Sequence, residues 1–338
     1  MSCTIQLPNY PNERYIVGGM ITGKVICTVS KKINIRGVVV KLKGKEHNRW
    51  YDGIATKRRI YASKIKFLHL ELPLQVKGTL SPGTFEYPFT FRLPHNIPDS
   101  FKGPYGGIRY TITAKVDIPF APDYTNKKVV RVFDFVNLNS AKYQAHWGPA
   151  THSETKTPYS WCCNSGPVTV DVCLEKQMFV PGEEVKMKVR INNQSSMNVD
   201  MVIVRITRVT VKSIILSSSV NRYRDRFEVV ASGAVAGVKA REEKIYNVHF
   251  PIPKTVKVLN FHGSKLFEQE TVLNVKAHFI WYTDMEYTTK VVLGHVPITS
   301  GSYLQNLASF VAAGRINHIP GTKLTILRCD ICAAFKQV

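Results

Sequence analysis

The sequence lacks the marks of a membrane-spanning or secreted protein. It contains no run of about 18 apolar residues, so we expect no membrane-spanning helix. Residues 1–6 do not place a charged region before an apolar stretch, which argues against a signal peptide. The 7 cysteines are odd in number and have no spacing typical of a disulfide framework. We therefore expect a cytoplasmic chain with reduced thiols.

Motifs of catalysis and metal binding are also missing. The sequence contains no His-Glu-x-x-His, no Gly-x-Ser-x-Gly and no Gly-x-x-x-x-Gly-Lys. Cys329 and Cys332 form a single pair, whereas a structural zinc site needs four ligands. Cys162 and Cys163 could supply the other two ligands, and the alternative is that all of these thiols are unpaired. We predict a protein that is not an enzyme and has no cofactor, catalytic residue or metal site.

Acidic residues are few. The chain has 24 Asp and Glu against 46 Lys and Arg, a formal net charge of +22. Such a positive field attracts lipid headgroups, phosphorylated tails, acidic proteins or nucleic acid. Nucleic acid is not an expected partner, because no nucleic-acid-binding module is recognisable. Many lysines alternate with apolar residues, as in 38–43 and 185–190, which is typical of the solvated face of a strand.

Strand-like alternation dominates the chain. Residues 110–118, 168–174 and 273–279 alternate between apolar and polar side chains. Proline and glycine interrupt these segments, and one solvated face favours antiparallel sheets packed as immunoglobulin-like sandwiches. A helical pattern occurs at 303–313, where Gly314 would end a short helix. We predict an all-β fold.

The two halves of the sequence resemble each other at a shift of 164 residues. Residues 15–18 (Tyr-Ile-Val-Gly) fall on 179–182 (Phe-Val-Pro-Gly), and the apolar positions of 38–42 fall on those of 202–206. A repeat of this length indicates a duplicated domain. We predict an N-terminal sandwich over 1–147, a linker over 148–166, a C-terminal sandwich over 167–300 and an extension over 301–338.

Several ordered motifs resemble the arrestin-domain-containing (α-arrestin) family. The first comprises residues 85–94 (Phe-Glu-Tyr-Pro-Phe-Thr-Phe-Arg-Leu-Pro), followed by 97–103 and then Gly107-Ile108-Arg109-Tyr110. Residues 162–196 resemble the start of the family's second domain, and 293–298 its closing strand. The resemblance implies an arrestin-like fold of two tandem antiparallel β-sandwiches.

The resemblance also implies a function. We expect a non-enzymatic adaptor or scaffold that binds cytoplasmic regions of membrane proteins and affects their trafficking, endocytosis or signalling. It would be cytoplasmic and recruited to the plasma membrane or endosomes. The alternative is a peripheral membrane module that binds anionic phosphoinositide lipids through basic surface.

Two basic clusters are the candidate contacts for an anionic partner, since arrestins direct basic residues toward phosphorylated or acidic partners. Each could bind phosphate bidentately, and the alternative is an ordinary solvated strand face. The clusters are Lys57, Arg58 and Arg59, and Arg222, Arg224 and Arg226.

Recruitment of a ubiquitin ligase is the part of the family pattern that this sequence does not match. Family members carry Pro-Pro-x-Tyr motifs that bind WW domains, and the chain contains no Pro-Pro pair. A variant of the motif, with Leu7, Pro8 and Tyr10, lies where the first strand leads into its turn. A ligase would therefore be reached by an indirect route.

Overall fold

The structure is a computed structural model that describes residues 1–8, 14–53, 58–160, 163–215, 221–280 and 282–299. The chain divides into two compact units. Unit 1 contains Met1–Phe135, Val211–Asp225 and Leu259–Glu268. Unit 2 contains Val136–Thr210, Arg226–Val258 and, within the described part, 269–299.

Unit 1 is built from mainly antiparallel sheets that pack around one apolar core, and β2 pairs with β11 in parallel. A three-stranded sheet has the order β1-β3-β8, and a larger sheet has the order β2-β11-β10-β5-β6, with β9 paired to β10. A short ladder joins β4 and β7. The strands are β1 Ser2–Gln6, β2 Arg14–Ile16, β3 Met20–Val29, β4 Ile33–Ile35, β5 Gly37–Asp52, β6 Arg59–Gln75, β7 Gly78–Leu80, β8 Gly83–Arg92, β9 Phe101–Gly103, β10 Gly106–Asp117 and β11 Tyr124–Phe133.

Unit 2 repeats this plan around its own core. Its main sheets have the orders β12-β15-β17-β20 and β19-β18-β21-β22, and short ladders join β13 to β14 and β16 to β23. The elements are a 3₁₀ helix Ala141–His146, β12 Ala150–Lys156, β13 Tyr159–Ser160, β14 Cys163–Asn164, β15 Val168–Leu174, β16 Met178–Phe179, β17 Glu184–Asn193, β18 Val199–Ile215, β19 Asn221–Val238, β20 Glu243–Pro251, β21 Phe267–His278, β22 Met285–Lys290 and β23 Val292–Leu293. Residues 211–215 of β18, 221–225 of β19 and 267–268 of β21 belong to unit 1.

The predicted all-β class with two tandem sandwiches is confirmed. The apolar positions of the repeat are the positions that fill the two cores. Val38 and Val40 on β5 are completely buried, and so are Val202 and Val204 at the shifted positions on β18. Alternation with a period of two thus sets which face of each strand is covered.

A β-bulge between β5 and β6 fixes which side chains share the outer face of the large sheet in unit 1. Gly44 pairs with Leu68 and Lys45 with Lys66, so Phe67 is an extra residue on β6. A Cβ on Gly44 would lie 2.6 Å from the Phe67 ring, which is why glycine stands there. The extra residue reverses the alternation of β6 and places Lys64 and Lys66 on the same outer face as His69.

The structure differs from the sequence-based predictions at two places. Residues 150–156, inside the predicted linker, form β12, which pairs with β15 along its whole length. Cys173 takes part in a disulfide bond, so the expectation of reduced thiols is wrong there. The helix predicted at 303–313 and the rest of the 301–338 extension lie outside the described residues. Within the described part, no helix is long and apolar enough to cross a bilayer.

Candidate anion-binding face

The outer face of the large sheet in unit 1 is covered with cationic side chains. Alternate residues of β5, β6, β10 and β11 point away from the core. We call the following set the basic face: Lys43, Lys45, Lys64, Lys66, Arg109, Lys127 and Arg131.

Strand register brings like charges opposite each other on this face. Lys45 lies between Lys66 on β6 and Arg109 on β10. Like charges directly opposite on one sheet face are destabilising, because their β-carbons are only about 5 Å apart. Among the described residues, no carboxylate lies within ion-pair distance of any member of the basic face. Within this part of the chain no ion pair offsets the repulsion, as expected for a surface that binds an anion.

Nearby acidic side chains are paired to other cations at the border of the basic face. Glu71 binds Lys41 at 2.9 Å, and Asp117 and Asp123 bind Lys115 at 3.2 and 2.8 Å. Partial burial and repulsion from neighbouring lysines, Lys41 first, lower the pKa of Lys43. An anion on this face would relieve that repulsion.

The basic face is hollow. A depression of about 600 Å³ is lined by Lys43, Lys45 and Arg109 together with the hydroxyls of Thr111 and Thr113. A second depression of about 660 Å³ shares Arg109 with it and reaches Arg131. Ammonium and guanidinium groups with hydroxyl donors are the groups that bind phosphate and carboxylate oxygens. The hollow is suited to an anion that carries several charges.

The two predicted clusters meet in part at the end of β5. The guanidinium of Arg58 lies 5.0 Å from the centre of the Tyr51 ring. Arg224 donates to the Tyr51 carbonyl at 3.4 Å and pairs with Asp52 at 3.2 Å. Arg49 lies 5.4 Å from the same ring and faces outward on β5, so it links this group to the basic face.

The other predicted site residues are placed as follows. Arg59 begins β6 and is exposed, and Arg226 is exposed on β19. Lys57, Tyr10, Cys329 and Cys332 lie outside the described residues, as does the side chain of Arg222. Leu7 is buried in the unit 1 core, whereas Pro8 is exposed. Within the described part of the chain, no group of His, Cys, Asp and Glu is arranged to hold a metal ion.

Sequence reasoning missed the basic face itself. Each lysine of β5 alternates with apolar residues and was explained one by one as a solvated position. The cations of four strands come together only through long-range register, such as Lys43 opposite Thr111 and Thr111 opposite Val129. The signal available in the sequence was the run Lys41-x-Lys43-x-Lys45 with no acidic residue between.

Behind this sheet, two buried carboxylates hold the segment Leu259–Glu268. Glu46, on the inner face of β5, is completely buried and accepts from Ser264 Oγ at 2.5 Å and from the Lys265 amide at 3.0 Å. Asp99 accepts from the amides of Asp134 at 2.8 Å and Asn260 at 2.9 Å. These bonds give both carboxylates structural partners.

Burial is the main influence on the pKa of Asp99. It raises the pKa of Asp99 from 3.8 to about 6, against the effect of the two amide donors, and the nearby Asp134 charge raises it further. Burial raises the pKa of Tyr110 as well, and its hydroxyl donates to the Pro98 carbonyl at 2.5 Å. Asp99 and Tyr110 therefore stabilise the interior of unit 1, and the candidate binding groups are the exposed cations of the basic face.

The fold and this face define a protein of two tandem β-sandwiches with a surface suited to anionic partners. The family model of the arrestin (or S-antigen) N-terminal domain matches residues 3–139, and that of the arrestin C-terminal domain matches 164–298. The chain belongs to the arrestin family, and the resemblance to arrestin-domain-containing (α-arrestin) proteins is confirmed.

The relatives are arrestin-domain-containing proteins of animals. Arrestin domain-containing protein 17 of Caenorhabditis elegans is 28% identical over 56% of this chain and 47% of its own length. Mouse arrestin domain-containing protein 4 is 27% identical over 54% and 46%, respectively. Human arrestin domain-containing protein 5 is 28% identical over 55% and 56%. The chain thus matches about half the length of these relatives.

Proposed function

We propose that this chain is a non-enzymatic arrestin-like adaptor that binds cytoplasmic regions of membrane proteins and alters their trafficking, endocytosis or signalling. It would act in the cytoplasm and be recruited to the plasma membrane or endosomes. The observation that carries the proposal is the basic face, a hollow sheet surface whose cations have no acidic partners among the described residues. Membership of the arrestin family supports it.

The partner chemistry follows from the geometry of the face. Its cations are spaced along strands at about 3.3 Å per residue, and like-facing residues recur at every second position. An extended acidic or phosphorylated tail has the same repeat, so several of its anionic groups could meet successive lysines. A ubiquitin ligase would be reached indirectly, for example through the bound membrane protein.

A binding measurement on purified protein tests the proposal. The probe is a synthetic extended peptide with three phosphoserines, compared with its unphosphorylated form. Lys43→Glu, Lys45→Glu and Arg109→Glu together should weaken phosphopeptide binding at least about a hundredfold, since each charge-assisted contact contributes about 1.5–3 kcal/mol. The matched control reverses the same number of exposed lysines in unit 2, Lys186, Lys239 and Lys257, and should bind like the parent.

If both triple variants lose phosphopeptide affinity equally, the effect is one of net charge, and the basic face is not the binding site. A cellular arm tests the adaptor role itself. Proximity labelling with the parent chain should recover membrane proteins with cytoplasmic tails, and the basic-face variant should recover fewer of them. Unchanged recovery would refute the assigned contact.

The size of the depressions supports a second candidate function, that of a peripheral membrane module that binds phosphoinositide headgroups. A space of about 600 Å³ surrounded by Lys43, Lys45, Lys64, Arg109 and Lys127 can hold a compact polyphosphate as well as a peptide. This candidate expects binding to phosphoinositide vesicles with a steep salt dependence and no preference among peptides. Preference for the phosphopeptide over vesicles decides against it.

A further inference from the structure

A single aromatic side chain stands out of the hairpin between β10 and β11 in unit 1. We call residues 118–123 the Phe120 hairpin. Phe120 is fully exposed, at 106% of its reference area, and its φ is +59°. A bulky residue in this left-handed region is unusual, because glycine or asparagine adopts it with less steric conflict. Neither backbone geometry nor core packing explains why phenylalanine is displayed here.

The Phe120 hairpin is a preformed turn. Asp123 Oδ1 accepts from the Ile118 amide at 3.3 Å, and Lys115 pairs with Asp123 at 2.8 Å. Pro119 and Pro122 flank the ring on either side and restrict the backbone. A fixed turn loses little conformational entropy when its side chain is buried by a partner. The ring is therefore held ready for docking.

Other segments of unit 1 reach the same end of the sheet. Register pairs Asp117 with Gly37 and Val38 with Gln75, so the chain enters β5 and leaves β6 beside the Phe120 hairpin. Val76, directly after β6, is 77% exposed. This end of the sheet thus presents a second apolar side chain near the ring.

The same end of the sheet carries an excess of positive charge. Its acidic residues, Asp117 and Asp123, are paired to Lys115, and Asp117 also to Arg36. The remaining exposed cations form no ion pair among the described residues; they are Lys31, Lys32 and Lys77. An exposed aromatic ring at the end of unit 1 that also carries these lysines is complementary to an apolar layer covered by negative charge.

We propose that the Phe120 hairpin docks unit 1 on a bilayer that contains anionic lipid. Phe120 enters the headgroup region, where aromatic rings are favoured, and Lys31, Lys32 and Lys77 contact the anionic headgroups. The inference rests on the proposed work at membranes and adds a lipid contact separate from the basic face. A pocket on a protein would accept the ring but would leave Lys31, Lys32 and Lys77 at this end of unit 1 unexplained.

Vesicle binding tests this contact. The probes are phosphatidylcholine vesicles with and without phosphatidylserine, added to the full chain. The parent should co-sediment with the phosphatidylserine vesicles. Phe120→Asn removes the ring but tolerates the left-handed backbone, so the fold is kept and binding should fall about tenfold. In Phe120→Trp, the emission of the added tryptophan is obtained by subtracting the spectrum of the parent. This emission should shift to shorter wavelength with phosphatidylserine vesicles and should not shift with phosphatidylcholine vesicles.

The matched control is Ile280→Asn in the corresponding hairpin of unit 2. That hairpin has a corresponding hydrogen bond, since Asp284 Oδ1 accepts from the Phe279 amide at 3.2 Å. Its apolar residue Ile280 is 61% exposed. This variant should bind vesicles like the parent. No vesicle binding by the parent, equal binding by Phe120→Asn, or loss in the control alone would each overturn the inference.

Two further arms separate the possible causes of failure. If Phe120→Asn binds the phosphopeptide normally but loses vesicles, the proposed adaptor function and the lipid contact both stand and are distinct. If Phe120→Asn leaves vesicle binding intact while phosphopeptide binding still depends on Lys43, Lys45 and Arg109, the lipid contact alone is wrong. A fluorescence shift with the phosphopeptide and none with vesicles would identify a protein partner and refute the lipid contact.

Discussion

In unit 1 the seven cations of the basic face form no ion pair among the described residues, whereas several exposed cations on the sheet β19-β18-β21-β22 of unit 2 are paired. Lys290 binds Glu270 at 2.8 Å, and Lys276 and His278 both bind Asp284, at 2.5 and 2.8 Å. The same strand order therefore carries a dense group of unpaired cations in unit 1 and a partly neutralised surface in unit 2, where the exposed Arg205 and Arg226 have no ion pair among the described residues.

The interiors of the two units also bury different charged side chains, although unit 2 buries one carboxylate as well, that of Asp171, which is 9% exposed. The described interior of unit 1 contains the carboxylates of Glu46 and Asp99, which are 0% and 3% exposed. On β18 of unit 2, an inward position is occupied by Arg208, which is 5% exposed. Apolar alternation maintains the sandwich in both units, while the charged positions between have diverged. The two units thus share the apolar positions that form the sandwich, while their charged positions differ and can serve separate roles.

Removal of Glu46 should have the largest effect. Glu46→Ala would leave Ser264 Oγ and the amides of Lys265 and Leu266 without their acceptor. We expect the free energy of unfolding of unit 1 to fall by about 3–5 kcal/mol, because hydrogen bonds to a buried charge are stronger than average. Hydrogen exchange at the Lys265 and Leu266 amides, together with urea denaturation, measures this.

The matched control for Glu46 lies on the exposed face of unit 2. Glu286 accepts from Asn274 at 2.5 Å but is exposed, so Glu286→Ala should cost less than about 1 kcal/mol. Equal losses for the two variants would show that burial does not distinguish the carboxylates of the two units. Faster exchange throughout unit 1, without a preference for Leu259–Glu268, would contradict the assigned role of Glu46.

Converting the unit 1 face into the unit 2 pattern should abolish most anion binding. Thr111 lies between Lys43 and Val129, and Thr113 between Lys41 and Lys127. Thr111→Glu with Thr113→Glu would supply the missing acids, so phosphopeptide affinity should fall about thirtyfold, or about 2 kcal/mol. Calorimetric titration at two salt concentrations measures both the affinity and its salt dependence.

The isosteric pair Thr111→Val and Thr113→Val serves as the control. It keeps the cations and adds no acid, so we expect most of the affinity to remain. If both pairs lose affinity equally, the threonine hydroxyls rather than the charge balance would explain binding. The reciprocal change in unit 2, Glu270→Gln, removes an ion pair of Lys290 and should raise anion affinity no more than about twofold, because one exposed pair contributes little.

Asp99 should give unit 1 a pH dependence that unit 2 lacks. Its pKa of about 6 lies above the usual 3.8, so its contribution to stability is full below pH 3.8 and is lost as pH rises through 6. Between pH 5 and 7.5 the loss should be about 1.4 kcal/mol. Asp99→Asn should remove this component from the pH profile of urea unfolding.

Asp284 in unit 2 provides the opposite case. Burial would raise its pKa, but hydrogen bonds from Lys276 and His278 outweigh that effect and lower the pKa from 3.8 to about 2. Its contribution to stability is therefore present above pH 3.8 and is lost as pH falls through 2. Asp284→Asn should leave the profile between pH 5 and 7.5 unchanged, and a change there comparable to that of Asp99→Asn would contradict this comparison.

The sequence allowed the frame to be predicted because the frame depends on local alternation. The period-two pattern at 110–118 and the repeat between 38–42 and 202–206 correspond to buried strand faces. The basic face depended on register across four strands and on the bulge at Phe67, and both are properties of long-range pairing. Arg58 and Arg224 meet at Tyr51 for the same reason, although they are far apart in sequence.

Replacement of Arg208 should change the free energy of unfolding only slightly, but in the direction of greater stability. Among the described residues its Nε and Nη2 have no hydrogen-bond partner, and its Nη1 lies 4.0 Å from the exposed Glu228 carboxylate. Burial lowers the pKa of Arg208, which reflects the cost of keeping a cation inside unit 2. Arg208→Met keeps the length of the side chain without the charge, so unit 2 should become about 1 kcal/mol more stable in urea denaturation.

The control for Arg208 is Arg205→Met on the exposed side of the same strand, which should change stability by less than about 0.5 kcal/mol. If Arg208→Met instead destabilises unit 2, the interpretation of Arg208 as a buried cation that costs stability is wrong. The difference between the buried charged groups of the two units would then be smaller, since Arg208 would contribute to stability as Glu46 does in unit 1. Stabilisation would mean that the long ion pair with Glu228 does not offset the cost of burying Arg208 in unit 2.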